Sequence, residues 1–332
     1  MTPMRRLTII GGGAWGTALA LVARRAGSFP VLWARDPDVV AQINRRHQNS
    51  LFLPGVILDP AITATTDMAF ATDEAEAALL VVPAQFLRGV IQVLASHLRR
   101  GVPLLLCAKG IETSSLKMMS EIAAEILPAS PSAVLSGPTF ATEVARELPT
   151  AVTIASGDAS LGQAFIEALG SSRFRPYLSQ DPVGAEIGGA VKNVLAIACG
   201  IVMGRGFGDN ARASLMTRGL AEMIRLGVAK GGRAETFHGL SGLGDLVLSC
   251  SSAQSRNFGL GLALGRGRTL ETALRGCRSV VEGVATAASI ARVAERLGIE
   301  MPIAAGVDAL LHRGEAVDAV IDLLLRRPYR AE

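Results

Sequence analysis

The sequence predicts an α/β protein in two parts: a doubly wound parallel sheet over residues 1–180, then an all-α domain over residues 181–332. Three observations lead there. A glycine stretch, Gly11 to Gly16, sits between an apolar run and a helical pattern; short apolar runs then alternate with helical segments; and from about Asp181 the strand pattern stops. At 332 residues the chain exceeds one ordinary core, which fits two domains of about 150 residues each.

The first element is the strand Leu7, Thr8, Ile9, Ile10, followed by GGGAWG and by TALALVARRAG, in which Leu19, Val22 and Ala23 share a helical face. Strand, tight turn and helix in this order ask for glycine at three places. Gly11 allows the sharp turn, Gly13 lets a pyrophosphate touch bare backbone, and Gly16 lets helix and strand pack closely. The helix N-terminus adds free N–H groups and partial positive charge, both suited to phosphate. Arg5 and Arg6 ahead of an apolar stretch also look like the start of a secretory signal, but three consecutive glycines and the Arg24–Arg25 pair fit a signal badly.

A second strand, in FPVLWARDPD, ends at Arg35 and Asp36. An acidic residue at this point favours the ribose 2′-hydroxyl of NAD, whereas an arginine accommodates the 2′-phosphate of NADP. Both are present. Reading Asp36, followed by Pro37, as the cap of the next helix leaves Arg35 at the strand end and favours NADP over NAD. Further strands are expected at Ala78 to Val82, Pro103 to Cys107, Ala133 to Ser136 and Ala151 to Ala155, with helices at Gln85 to Leu98 and Leu116 to Leu127 between them. The result is a Rossmann-type sheet, whose ligands sit beyond the carboxyl ends of the strands. Pro83, Lys109, Gly110, Gly137, Pro138 and Thr139 fall there, and Lys109 stands out as a cation just past a buried strand.

The second half reads as helices over 182–203, 210–229, 283–297 and 302–325. In AEIGGAVKNVLAIACG, Lys192 and Asn193 interrupt a small-residue apolar helix. Desolvation there should lower the lysine pKa and suit it to proton transfer at a hydroxyl; an internal ion pair or a snorkelling lysine is the structural alternative. Gly188, one turn earlier, leaves room for a flat ring. Asp245 follows a glycine run expected to be flexible, and either orients a lysine or binds a substrate hydroxyl. Ser255, Arg256 and Asn257 set a hydroxyl, a guanidinium fork and an amide side by side, a set for phosphate or another oxyanion, although SRN is also a common surface composition. Glu282 either caps the following helix or holds a ribose.

Composition narrows the field. With 49% hydrophobic and 19% charged residues the chain is globular, and no apolar run approaches the roughly 18 residues of a membrane span. The net charge of +4 is spread over scattered arginine pairs and aromatics are only 4%, which disfavours nucleic acid as a partner. The 4 cysteines are far apart, consistent with reduced thiols in a cytoplasm. Metal-dependent and serine-hydrolase chemistry lack their motifs, so no metal site is expected. A dehydrogenase for some other hydroxy or keto acid, and a catalytically silent dinucleotide sensor, are the rival readings.

Taken in order, GGGAWGTALA, VVPAQ, CAKG, SGPTFA, GGAVKN, GFGDNARASLMTRGLAEM, GLGDLVLSC, SAQSRNFG and VVEG resemble bacterial NAD(P)-dependent glycerol-3-phosphate dehydrogenase over nearly the whole chain. The resemblance implies that Lys192 is the proton acceptor. It also implies that Lys109, Gly137, Thr139, Lys192, Asp245, Ser255, Arg256 and Asn257 contact substrate, and that Ala14, Trp15, Arg35, Lys109, Ala141, Arg256, Val280 and Glu282 join the glycines around NAD or NADP. A small phosphorylated substrate, a cytoplasmic homodimer and a supply of glycerol 3-phosphate for phospholipid synthesis follow from the same resemblance. Ala14 and Trp15 stand where a serine and another aromatic often occur in the family.

Overall fold

The computed structural model describes residues 4–275, 277 and 279–328. The chain forms strands β1 (Arg6–Ile10), β2 (Phe29–Trp33), β3 (Gln48–Asn49), β4 (Leu53–Ile57), β5 (Thr63–Thr65), β6 (Ala77–Leu80), β7 (Leu104–Leu106), β8 (Ser132–Ser136), β9 (Thr150–Ala155) and β10 (Phe174–Ser179). Eight of them make one sheet in the order β10-β9-β8-β7-β6-β1-β2-β5, and β3 and β4 form a separate pair. The expected all-parallel sheet needs correcting. From β5 to β8 the neighbours are parallel, but β9 runs antiparallel to β8, and β10 is parallel to β9. The helix between β8 and β9 is only Ala141–Ala145, about 7.5 Å long, too short to return the chain to the start of β8. The strand therefore folds straight back.

Helices α1 (Ala14–Arg25), α2 (Pro37–Arg46), α3 (Met68–Thr72), α4 (Leu87–Ala95), α5 (Met119–Ile126), α6 (Ala141–Ala145) and α7 (Ala159–Leu169) accompany the sheet. One face of the sheet packs on α1, α2, α6 and α7 through Leu19, Ile43, Val144 and Phe165; the other packs on α3, α4 and α5 through Met68, Ile91 and Ile122. Covering both faces explains why β6 and β7 read as unbroken apolar runs. Asp36 caps α2 as read, its carboxylate accepting from Asp38 N at 2.9 Å, with Pro37 first in the helix. Strand β2 stops at Trp33, two residues before Arg35.

Beyond Ser179 come α8 (Pro182–Gly204), α9 (Gly208–Ala229), α10 (Asp245–Ser251), α11 (Arg256–Gly265), α12 (Leu270–Leu274), α13 (Glu282–Leu297), α14 (Pro302–His312) and α15 (Val317–Leu325). The helix expected over 302–325 is broken at 313–316, where Gly314 takes a left-handed conformation (φ 72°). Contrary to the reading of the apolar runs, α8 is long and apolar enough to cross a membrane; most of it is instead buried in this half, ringed by α9, α10, α11 and α13.

The two halves share a segment. The stretch after β7 sends Ile111, Leu116 and Met118 into the core of the helical half, against α8 and α13. Leu116 sits in left-handed backbone (φ 61°), a strained place for a bulky apolar residue. Hydrogen bonds pin the segment from both sides: Gln85 Nε2 and Ser289 Oγ donate to Ile111 O at 2.8 and 3.0 Å, and Arg292 Nη1 donates to Thr113 O at 2.8 Å.

Candidate active site

The carboxyl ends of β1, β6, β7 and β8 lie side by side. After β1 the backbone turns through Gly11 (φ 132°), where a Cβ would press within 2.9 Å of the Val81 carbonyl. A Cβ on Gly16 would collide with Gly11 O, so helix and strand meet backbone to backbone. Gly13, the N-cap of α1, has nothing within 4 Å of its Cβ position and makes no side-chain cap hydrogen bond, so the first-turn N–H groups have no capping side chain. A dinucleotide pyrophosphate fits such a cradle. Gly13→Ala should leave the melting temperature nearly unchanged, because φ there is −75°, yet weaken NADPH binding about tenfold or more in a fluorescence titration.

Beyond β7 and on α8, two lysines converge on one carboxylate. Lys192 Nζ donates to Asp245 Oδ1 and to Ser249 Oγ, both at 2.8 Å. Lys109 Nζ donates to Asp245 Oδ2 at 2.6 Å and to Gly137 O at 2.9 Å, and the Thr139 hydroxyl donates to the same carbonyl at 3.2 Å. Asp245 is wholly inaccessible and Lys192 is 9% exposed. Burial pulls the Lys192 pKa down to about 8, with Asp245 opposing it and Lys109 adding to it. Burial alone would raise the Asp245 carboxyl, but the two lysines outweigh it and hold it below the usual carboxylate range.

Gly188 and the run before Asp245 do something other than expected. A Cβ on Gly188 would strike Ser241 O, so its missing side chain makes room for backbone and not for a ring. Residues Leu240–Gly244 form a π-helical turn in which Ser241 and Gly242 are buried, a packed support for Asp245 in place of a flexible run. Both oxygens of Asp245 accept from lysine amines, the arrangement expected of a carboxylate that orients them.

In the SRN triplet, Arg256 and Asn257 reach the start of α13 while Ser255 serves its own helix. Ser255 caps α11, accepting from Phe258 N at 3.3 Å; Arg256 Nη1 donates to Val280 O at 2.7 Å; Asn257 Oδ1 accepts from Gly283 N at 2.9 Å. Glu282 opens α13, and its Oε1 accepts from Ala84 N at 3.0 Å, bridging to the turn after β6. Burial pushes the Glu282 carboxyl up to about 7. Its Oε2 has no hydrogen-bond partner among the described residues, nor has Thr286 Oγ1 one turn on. A Cβ on Gly110 would lie 3.2 Å from Thr286 Oγ1 and 3.6 Å from Glu282 Oε2, so the lysine cluster and the Glu282 region adjoin. Ala14 and Trp15 form the first turn of α1, and Ala141 opens α6. Arg35 is exposed, with no hydrogen bond or ion pair to a described residue.

Ser249 and Asn193, which the sequence does not mark as functional, both enter the cluster. Ser249 was findable, since it lies four residues after Asp245 on a helix. The Ala84 backbone contact of Glu282 leaves no trace in residue type.

A Rossmann-type sheet facing an all-helical second half across its strand ends, with a buried lysine between them, defines the class of two-part nicotinamide-dependent oxidoreductases. Profiles described as NAD-dependent glycerol-3-phosphate dehydrogenase N-terminus and C-terminus match residues 6–162 and 181–322. The chain belongs to the NAD-dependent glycerol-3-phosphate dehydrogenase family. It is 57% identical over 326 residues to glycerol-3-phosphate dehydrogenase (NAD(P)+) of Rhodospirillum rubrum, covering 98% of this chain and 93% of that one. The same-named protein of Paramagnetospirillum magneticum is 65% identical over 255 residues, 77% of this chain and 92% of that one. A crystal structure of glycerol-3-phosphate dehydrogenase from Coxiella burnetii superposes with a TM-score of 0.94 at 38% identity, over 98% of this chain and 99% of that one.

Proposed function

We propose that the protein interconverts dihydroxyacetone phosphate and sn-glycerol 3-phosphate with NAD(P)H, feeding glycerophospholipid synthesis. The observation that carries this is the buried Lys192 amine, held by Asp245 and Ser249, with Lys109 from beyond β7 on the same carboxylate. The glycine turn Gly11–Gly16 would hold a nicotinamide dinucleotide, which would supply hydride-transfer chemistry at the keto carbon. Lys192 as ammonium hands a proton to the nascent alkoxide; as neutral amine it removes the hydroxyl proton of glycerol 3-phosphate. Asp245 fixes the direction of both amines. Lys109 adds positive charge where the oxyanion develops, and Arg256 with Ser255 offers a fork and a hydroxyl to the phosphate. Gly11, Gly13 and Gly16 hold the dinucleotide, together with Ala14, Trp15, Arg35, Ala141, Val280 and Glu282. Exclusion of water from the cleft strengthens each of these charges.

Residues 1–180 would then form the dinucleotide-binding domain and residues 181–332 the substrate domain, a division supported by the two profile matches falling on either side of it. The family resemblance supports a cytoplasmic homodimer. Absorbance at 340 nm tests the reaction: dihydroxyacetone phosphate should oxidise NADPH, whereas unphosphorylated dihydroxyacetone should be poorer by about 10⁴-fold or more in kcat/KM, because the phosphate site is left unpaired. Equal use of both would end the phosphate reading.

NADP is the favoured cofactor, on the exposed Arg35 just past β2. Arg35→Asp should move the NADPH to NADH ratio of kcat/KM toward NADH by about tenfold or more. An unchanged ratio removes Arg35 from the choice.

A further inference from the structure

The backbone that follows Lys109 is held to the helical half by three side chains. Asn193 Nδ2 donates to Lys109 O at 3.0 Å, Ser289 Oγ to Ile111 O at 3.0 Å, and Arg292 Nη1 to Thr113 O at 2.8 Å. From the sheet half one side chain answers them. Gln85, in the turn Ala84–Phe86 between β6 and α4, donates through Nε2 to Ile111 O at 2.8 Å, and its Oε1 accepts from Thr113 N at 2.9 Å and from Thr113 Oγ1 at 2.7 Å. Among the described residues, no other side chain of the sheet half hydrogen-bonds the backbone of residues 109–113; Arg88, one turn along, reaches only the Glu112 side chain. The amide orientation is fixed, since Thr113 N can only donate and Ile111 O can only accept. The fit is close as well: a Cβ on Gly110 would lie 2.7 Å from Ala84 Cβ, so turn and segment touch one residue ahead of these bonds.

We propose that Gln85 is a positioning residue for Lys109, the tie by which the sheet half confines the Lys109 ammonium to its place between Gly137 O and Asp245. Lys109 shares that carboxylate with a second ammonium, Lys192, and like charges push apart. Without the amide, Ile111 and Thr113 lose their anchors to the sheet half, and Lys109, two residues earlier, is free to drift away from the shared carboxylate. The proposal rests on reading Lys192 as the proton donor and Lys109 as the charge beside it.

Gln85→Met keeps the length and bulk of the side chain and removes both arms of the tie. On the intact enzyme, kcat for reduction of dihydroxyacetone phosphate should fall about tenfold, the order expected when two hydrogen bonds are released. A merely structural glutamine would lower the melting temperature and leave the pH profile where it is. Asp245 and Cys250 on α10 and Lys109 beyond β7 are the ionisable groups acting on Lys192, and of these only Lys109 pulls its pKa down. Once Lys109 drifts off, the midpoint of the kcat profile should therefore move above the wild-type value of about 8. On a Lys109→Met background, measured with excess enzyme, Gln85→Met should change kcat by less than about twofold, because no ammonium is left to place.

Wild-type kcat and midpoint in Gln85→Met overturn the proposal. So does a fall in kcat with an unmoved midpoint, and so does an equal fall on the Lys109→Met background, which would mean that Gln85 acts by another route. If the methionine variant fails to fold, Gln85→Asn gives an independent reading: neutral and one methylene shorter, it cannot span Ile111 O and Thr113 N together. It should show a smaller loss of kcat with the same upward midpoint, and wild-type values of both overturn the proposal. A wild-type protein that does not reduce dihydroxyacetone phosphate, or a Lys109→Met variant as active as wild type, removes the functional reading on which the tie depends. Normal wild-type activity matched by the Gln85 variants removes only the tie.

Discussion

Replacing Lys192 with methionine lowers kcat about 10²–10⁴-fold, the usual share of general acid–base catalysis, and leaves NADPH binding measurable. Methionine keeps the length and apolar contacts of the side chain while removing the proton. The pH profile carries the same claim with a sign. Reduction needs the ammonium, so its kcat should fall as pH rises through about 8; oxidation needs the neutral amine and should rise through the same value. Both limbs should vanish in the variant. Stopped-flow or steady-state rates across pH 6 to 10 decide it, and wild-type turnover in Lys192→Met would mean that another group moves the proton.

Asp245→Asn is expected to cost about 3–5 kcal/mol of stability, because the variant leaves two buried or half-buried ammonium groups without their counter-charge. Asp245 lies 2.6 Å from one amine and 2.8 Å from the other, and an amide can accept from only one of them with its oxygen. Its charge also raises the Lys192 pKa against the pull of burial, so the midpoint of the reduction profile should move below about 8. Denaturant unfolding measures the first effect and rate profiles the second. Unchanged stability together with an unchanged midpoint would show that the amines do not depend on this carboxylate.

The sheet and its ligand edge were legible because fully buried strands such as β6 and β7 are continuous apolar runs, and because the glycine turn has a spacing that little else requires. Strands β5 and β10 escaped notice: TAT is three residues long, and FRPYLS is a polar edge strand carrying Pro176, with a neighbour on one side only. The reversal of β9 was hidden because direction is set by how the connection packs, which residue types do not record. Lys192 could be found as a charge in an apolar helix; the structure buries it and pairs it with Asp245, the internal ion pair that the sequence offered as the structural alternative. Gly188 misled for a plain reason: a helical glycine looks the same whether it faces a ligand or another backbone. Lys192 and Asn193 break the apolar run of α8, which is why no membrane-length run shows in the sequence, although the helix as a whole is long and apolar enough on average and is mostly buried.

The stretch carrying Ile111, Leu116 and Met118 makes independent swinging of the two halves costly. Hinge opening wide enough to separate them would extract three apolar plugs from a foreign core, at about 1.5–3 kcal/mol apiece. Access to the cleft should therefore come from smaller adjustments around a fixed socket. A severed helical half produced alone would display a hole lined by α8 and α13, and would be expected to clump until the missing peptide is returned to it in trans.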